Sequence, residues 1–250
     1  MKLFDETKSF LIRTAGDLQN LLLESLNRFQ ASLHSSPPST ELWNEVGRGR
    51  KKVWDPKDEM NLSSCLKRHF ERDLDKFAII TNREVQIRPR LGDDRAQLVD
   101  IFVQAVPFGH DGTPATPVAV IVEVKCAWNP GVLQDQKEQL YDRYLGTEKY
   151  DFGLYVVAYF TCEQWNRNRD PRKKSGVSKQ AMTILKARLV KQAASLSSTE
   201  KRVSAFILDA RLVGPKRHRV RKNPTKRKTK KCGRLRAMPS DRVSGQRRAK

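Results

Sequence analysis

The chain is poor in the residues that build metal clusters, disulfide frameworks and membrane spans. Its 250 residues hold four cysteines (Cys65, Cys126, Cys162, Cys232) and four histidines (His34, His69, His110, His218). The cysteines form no Cys-x-x-Cys pair and the histidines are scattered without partners. That spacing argues against a zinc site, a disulfide framework and a His-based catalytic dyad. Isolated free thiols suit a reducing compartment. No run of 18 apolar residues occurs, and the first residues lack a charged-then-apolar leader with a cleavage site. The expectation is a soluble, cytoplasmic protein with no membrane partner. A Gly-x-x-x-x-Gly-Lys-Ser/Thr loop is missing as well, so nucleotide hydrolysis has no support. No internal repeat points to a solenoid.

Acidic residues are also scarce: 28 Asp and Glu stand against 49 Lys and Arg, a formal charge of +21. The imbalance is concentrated. Residues 216–250 carry sixteen Lys or Arg and a single acid, Asp241, for a net +15, which leaves +6 for residues 1–215. A charge of this kind draws polyanions, above all nucleic acid, through counterion release. The plainer alternative is that the tail only aids solubility.

What is present in quantity is apolar periodicity. Residues 1–33 read as a helix whose stripe of Leu18, Leu21, Leu22, Leu26, Phe29 and Leu33 must cover either the main domain or a partner, a second copy included. Two prolines and small polar residues end it before residue 40. Trp43 and Trp54 flank the basic patch 48–52, either a phosphate contact or a solvated linker. Asp55 followed by Pro56 predicts the start of a second helix, with Leu62, Leu66, Phe70 and Leu74 as its core stripe. Strands are expected at 77–88, 97–106, 118–125, 151–160 and 203–209, and further helices at 132–145 and 178–196. The polar stretch 163–175, with Arg167, Arg169, Arg172, Lys173 and Lys174, reads as a loop, and the tail from 214 as disordered. The fold class is therefore α/β, a central mixed sheet of about five strands flanked by helices. The segments divide into a helix and linker (1–40), a main domain (41–213) and a basic tail (214–250).

Two of the predicted strands carry charge where a covered strand should be apolar: Asp100 in the first, Glu123 and Lys125 in the second. Side chains alternate along a strand, so Glu123 and Lys125 share a face. If the loop 107–117 makes the strands neighbours, Asp100 joins them. Burying two carboxylates and an ammonium without purpose would cost several kcal/mol. Carboxylates are hard oxygen ligands suited to Mg²⁺ or Mn²⁺, and the carbonyl of Val124 offers a further oxygen. Lys125 would stabilise charge developing on a phosphodiester. Cys126 points away from this face and reads as packing, not as a nucleophile.

The pattern Asp100, then Glu123-Val-Lys125 after an apolar strand, then a helix bearing Gln139-Leu-Tyr-Asp-Arg-Tyr-Leu145, resembles the PD-(D/E)XK nuclease superfamily over residues 57–209. The resemblance implies a restriction-endonuclease-like fold, Asp100 and Glu123 as metal ligands, Lys125 as the catalytic lysine, and Mg²⁺ or Mn²⁺ as cofactor. A family glutamate on the first core helix would be Glu59, with Glu71 as the alternative. A helical glutamine would be Gln139, or else Gln136. Two positions depart from the pattern. Val99 precedes Asp100 in place of proline, and Arg143, not tyrosine, stands four residues after Gln139, with Tyr144 next. Within the superfamily the likeness is greatest to nuclease domains of prokaryotic defence proteins. The expected activity is hydrolysis of DNA by a metal-dependent nuclease. A non-catalytic nucleic-acid-binding module on the same fold is the alternative.

Overall fold

A computed structural model describes residues 12–35, 41–47, 53–77, 79–88, 97–107, 113–146, 149–163, 165, 170, 172 and 180–212. The expectations for residues 1–11, the basic patch 48–52, most of the loop 163–175 and the tail from 214 lie outside these.

Helix α1 spans Ala15–Ser35. It starts at Ala15, later than periodicity alone suggested, because Thr14 and Asp17 form a reciprocal cap. The Thr14 N–H donates to Asp17 Oδ2 at 2.8 Å, and the Asp17 N–H to Thr14 Oγ1 at 3.1 Å. Its stripe of Leu18, Leu21, Leu22, Leu26 and Phe29 is buried in the chain's own core. The Gln19 amide donates to the Gly153 carbonyl at 2.8 Å, and Gln30 Oε1 accepts the Asp209 N–H at 2.9 Å. The stripe thus covers the main sheet, and α1 belongs to the same compact unit as the domain behind it.

A short antiparallel hairpin follows, β1 (Trp43–Val46) and β2 (Val53–Pro56), with Trp43 opposite Pro56. It corrects the expected helix start. Asp55 and Pro56 are strand residues, and the Lys57 N–H donates to the Leu42 carbonyl at 2.9 Å. Helix α2 (Glu59–Asp73) begins three residues later, where Asp58 Oδ1 accepts the Asn61 N–H at 2.9 Å. The hairpin is anchored through aromatic packing: Trp43 lies edge-on to Trp165 (5.6 Å) and Phe160 (5.4 Å), and its indole donates to the Ala210 carbonyl at 2.8 Å.

The main sheet has five strands in the order β3 (Ile79–Arg88), β4 (Gln97–Ala105), β5 (Val118–Cys126), β6 (Phe152–Tyr159) and β7 (Arg202–Asp209). β3, β4 and β5 are antiparallel neighbours; β5, β6 and β7 run parallel. Alternation along the strands builds two cores. Ile101, Val103, Val120, Val122, Val124 and Val156 face α1 and α2. Ile121, Tyr155, Val157 and Ile207 face the opposite layer, made of a π-helix at Gln136–Leu145 and helix α3 at Met182–Leu196. The expected helix 132–145 is therefore shorter and differently wound. Its first residues form turns in which the Gln134 and Asp135 amides both donate to the Gly131 carbonyl at 2.8 Å. The fold is α/β, a mixed five-stranded sheet covered by helices. Among the described residues no helix is long and apolar enough to cross a membrane.

Candidate functional site

The site forms where β4 and β5 part. Their ladder runs from the Ala105–Val118 pair to the Ile101–Val122 pair and stops there, while β5 continues alongside β6 as far as Cys126. The next pair would have been Asp100 with Glu123. Beyond this point the β4-facing edge of β5 has backbone groups without a ladder partner, and buried amides must be satisfied by some other acceptor. Two acids serve. Asp100 Oδ2 accepts the Val124 N–H at 2.8 Å, and Glu59 Oε1 accepts the Cys126 N–H at 2.8 Å. Glu59 is brought there by the Asp58 cap, which makes it the first residue of α2. Its carboxylate also holds the Asn129 amide at 2.9 Å. The N–H and C=O of a strand residue leave by the same edge, so the Val124 carbonyl also faces the gap between β4 and β5.

The other charges come from the β5 face that looks toward the π-helix. Glu123 is fully buried. Lys125 donates to Glu123 Oε1 at 2.6 Å and to Gln139 Oε1 at 3.0 Å, with Asp135 Oδ2 at 3.7 Å. Gln139 Nε2 donates to the Tyr144 hydroxyl, which donates in turn to the Leu98 carbonyl of β4, both at 2.8 Å. One chain of hydrogen bonds thus runs from Glu123 through Lys125, Gln139 and Tyr144 back to the strand that carries Asp100.

Burial sets the electrostatics. It pushes the Glu123 carboxyl up to about 8; Asp100 adds to this, and the attraction of Lys125 opposes it without cancelling it. The Asp100 carboxyl is raised as well, by burial, against the Val124 hydrogen bond and Lys125. For Lys125 burial works against the charge, but the Glu123 contact outweighs it and the ammonium is held protonated above its usual range. Burial also raises the Tyr144 phenol to about 12, which keeps it a donor.

Four of the residues expected from the sequence therefore meet around Lys125 and the end of β5: Asp100, Glu123, Gln139 and Glu59. Glu71 does not. It lies twelve residues along α2, about 18 Å of helix from Glu59, pairs with Lys67 and lines a cleft with Glu41, Arg68 and Arg72. Gln136 is fully buried, and neither its amide nitrogen nor its oxygen has a hydrogen-bond partner. Gln139 is the glutamine that reaches the lysine. Three further residues were not singled out in the sequence: Asn129, Asp135 and Tyr144 as a hydrogen-bonding group. Only the Pro-Gly turn after Asn129 and the one-residue offset of Tyr144 hinted at them.

Among the described residues no three His, Cys, Asp or Glu side chains gather as a complete metal cage. The donors at the gap are instead two carboxylates and a carbonyl. Glu123 Oε2 is buried with no hydrogen-bond partner, an uncommon condition for a carboxylate oxygen. A small hard cation that retains waters and takes substrate phosphates as ligands fits such a donor set. No protein-family model, curated protein or solved structure matches the chain.

Proposed function

We propose that the chain is a divalent-metal-dependent nuclease that hydrolyses phosphodiester bonds, with DNA as its substrate. The carrying observation is the meeting of Asp100, Glu123, Lys125, Gln139 and Glu59 where β4 leaves β5. The order of elements also agrees with the PD-(D/E)XK resemblance: a helix, three antiparallel strands, a helix and a parallel strand. The resemblance to defence nucleases suggests foreign DNA as the target.

Asp100, Glu123 and the Val124 carbonyl would hold Mg²⁺ or Mn²⁺. When bound, such an ion neutralises charge on a phosphodiester and acidifies a water. The chain's own residues supply the rest. The Lys125 ammonium, fixed by Glu123 and Gln139, has a further N–H to orient an attacking water or to meet a non-bridging phosphate oxygen. Water adds to phosphorus, the ester P–O bond breaks, and the proton released by water balances the one taken up by the leaving oxygen. No covalent nucleophile is required. Glu59 holds the end of β5 and keeps Lys125 in register. The excess positive charge of the chain supplies affinity for the backbone without base readout.

The test is cleavage of supercoiled, linear and single-stranded DNA, with RNA alongside, in Mg²⁺ and in Mn²⁺. Lys125→Ala and the isosteric Lys125→Met are expected to abolish cleavage with unchanged circular dichroism. Cleavage by a folded Lys125 variant would overturn the assignment. A non-catalytic binding module is the second reading, favoured by one observation: Asp100 and Glu59 each already spend an oxygen on a backbone amide. Metal-independent DNA binding by a wild-type chain that cleaves nothing would select it.

A further inference from the structure

Arg83 has no part in the scheme above, yet it stands beside it. It pairs with Ile101 across the β3–β4 ladder, next to Asp100. Its guanidinium reaches α2, where one terminal nitrogen donates to the Ser64 hydroxyl, and the other donates to Glu84 Oε1 at 3.1 Å. The third nitrogen, Nε, is buried and has no hydrogen-bond partner. Guanidinium donors are rarely left unmatched, because the fixed fork suits two oxygens of one planar or tetrahedral anion.

Glu84 is unusual too. It lies between the Arg83–Ile101 and Val85–Val99 pairs, hence across from Asp100, and its φ of 52° is in the left-handed region that non-glycine residues seldom adopt. Its side chain is 59% exposed, against 21% for Arg83. A solvated carboxylate at 3.1 Å from one nitrogen is a weak and exchangeable partner. It occupies one edge of the guanidinium and leaves Nε unpaired.

Resting on the nuclease reading, we propose that Arg83 binds a backbone phosphate of the DNA next to the scissile one, and that Glu84 covers the guanidinium until DNA displaces it. The geometry suits the spacing. Adjacent strands lie about 4.8 Å apart and successive phosphates advance about 3.4 Å along the duplex axis, so a strand seated over the Asp100–Glu123 gap passes β3 within one or two nucleotides. The positive charge also reaches Asp100, whose ionised form it favours. Ser64, which donates its own hydroxyl to the Met60 carbonyl at 2.9 Å, fixes the far end of the guanidinium to the helix that carries Glu59.

The experiment is fluorescence anisotropy of the full chain with a labelled duplex in EDTA, where no hydrolysis interferes, over a salt series. Arg83→Gln is expected to weaken binding about tenfold, equally for unrelated sequences, and to reduce the slope of log K against log salt by about one. Glu84→Gln, which removes the competing charge, is expected to tighten binding. Ser64→Ala reports whether disturbing the α2 contact alone has the same effect, and thermal melting reports whether Arg83→Gln is folded. Should Arg83→Gln fail to fold, Glu84→Gln decides: unchanged or weaker binding overturns the proposal. An unchanged slope in folded Arg83→Gln, while wild type cleaves DNA with Mg²⁺, overturns the Arg83 contact and leaves the nuclease reading standing. A wild type that binds but never cleaves defeats the nuclease reading, and the slope alone then decides the contact. A wild type that neither binds nor cleaves overturns both.

Discussion

Gln139 donates to the hydroxyl of Tyr144, five residues further on, and holds Lys125 with the other end of the same amide. In an α-helix the neighbours on one face are three or four residues apart. Here the helix is wound i→i+5, so residue 144, and not Arg143, comes to Gln139. Leu140 and Leu145, also five apart, are both buried under the sheet. The wind of the helix thus lets a tyrosine five residues beyond the glutamine reach its amide.

Tyr144→Phe removes one donor that ties Gln139 to β4 and leaves the ring in place. The expected stability loss is about 1 kcal/mol, read by urea denaturation. Cleavage is expected to fall about tenfold at saturating substrate, because a loosened Gln139 lets Lys125 wander. Under the nuclease proposal, a Tyr144→Phe variant that cleaves as fast as wild type would show that the lysine is held without this chain of bonds.

Glu123 predicts a stability that depends on pH. Its folded carboxyl is raised to about 8 from an ordinary 4.5, so between these values the folded chain keeps a proton that the unfolded chain has lost. Stability from this group is complete below pH 4.5 and declines as pH rises toward 8, by a few kcal/mol in total. Glu123→Gln is expected to flatten that decline in metal-free buffer. If Mg²⁺ takes the proton's place, added Mg²⁺ raises the melting temperature of wild type more at pH 8 than at pH 6, and of Glu123→Gln at neither. Chemical denaturation across pH 5–8, with and without Mg²⁺, checks both statements.

Asp58→Ala removes the cap that sets the first residue of α2. The cost in stability is expected to be about 1 kcal/mol. The effect on activity should exceed what that loss explains, since Glu59 is the next residue and holds the Cys126 amide. Asp58→Asn, which keeps an accepting oxygen, is expected to restore both. Rescue of stability without rescue of cleavage would separate the cap from the site.

The sheet and the central residues were legible in the sequence for identifiable reasons. The two apolar runs around Asp100 and Glu123 have the composition of covered strands, and period-two alternation alone puts Glu123 and Lys125 on one face. Other features depend on distances no local pattern encodes. Asp55-Pro56 has the form of a helix start, but the hairpin that Trp43 anchors claims those residues, and Asp58 caps the helix instead. Asn129 and Asp135 acquire partners only when the loop after β5 folds back on the strand end. The π-helical wind was equally hidden, because Gln139 and Tyr144 are one residue out of step with an α-helical face.

The anchoring of α1 and β1 bears on how the chain must be assembled. Gln30 meets Asp209 across 179 positions, and Trp43 meets Ala210 across 167. The surface on which the first helix packs includes β5, β6 and β7, the last of which ends at Asp209. During synthesis the leucine stripe is therefore exposed until nearly the whole domain has emerged, and closing such long loops is slow. Helix α1 and β7, the last strand of the sheet, thus complete one core together.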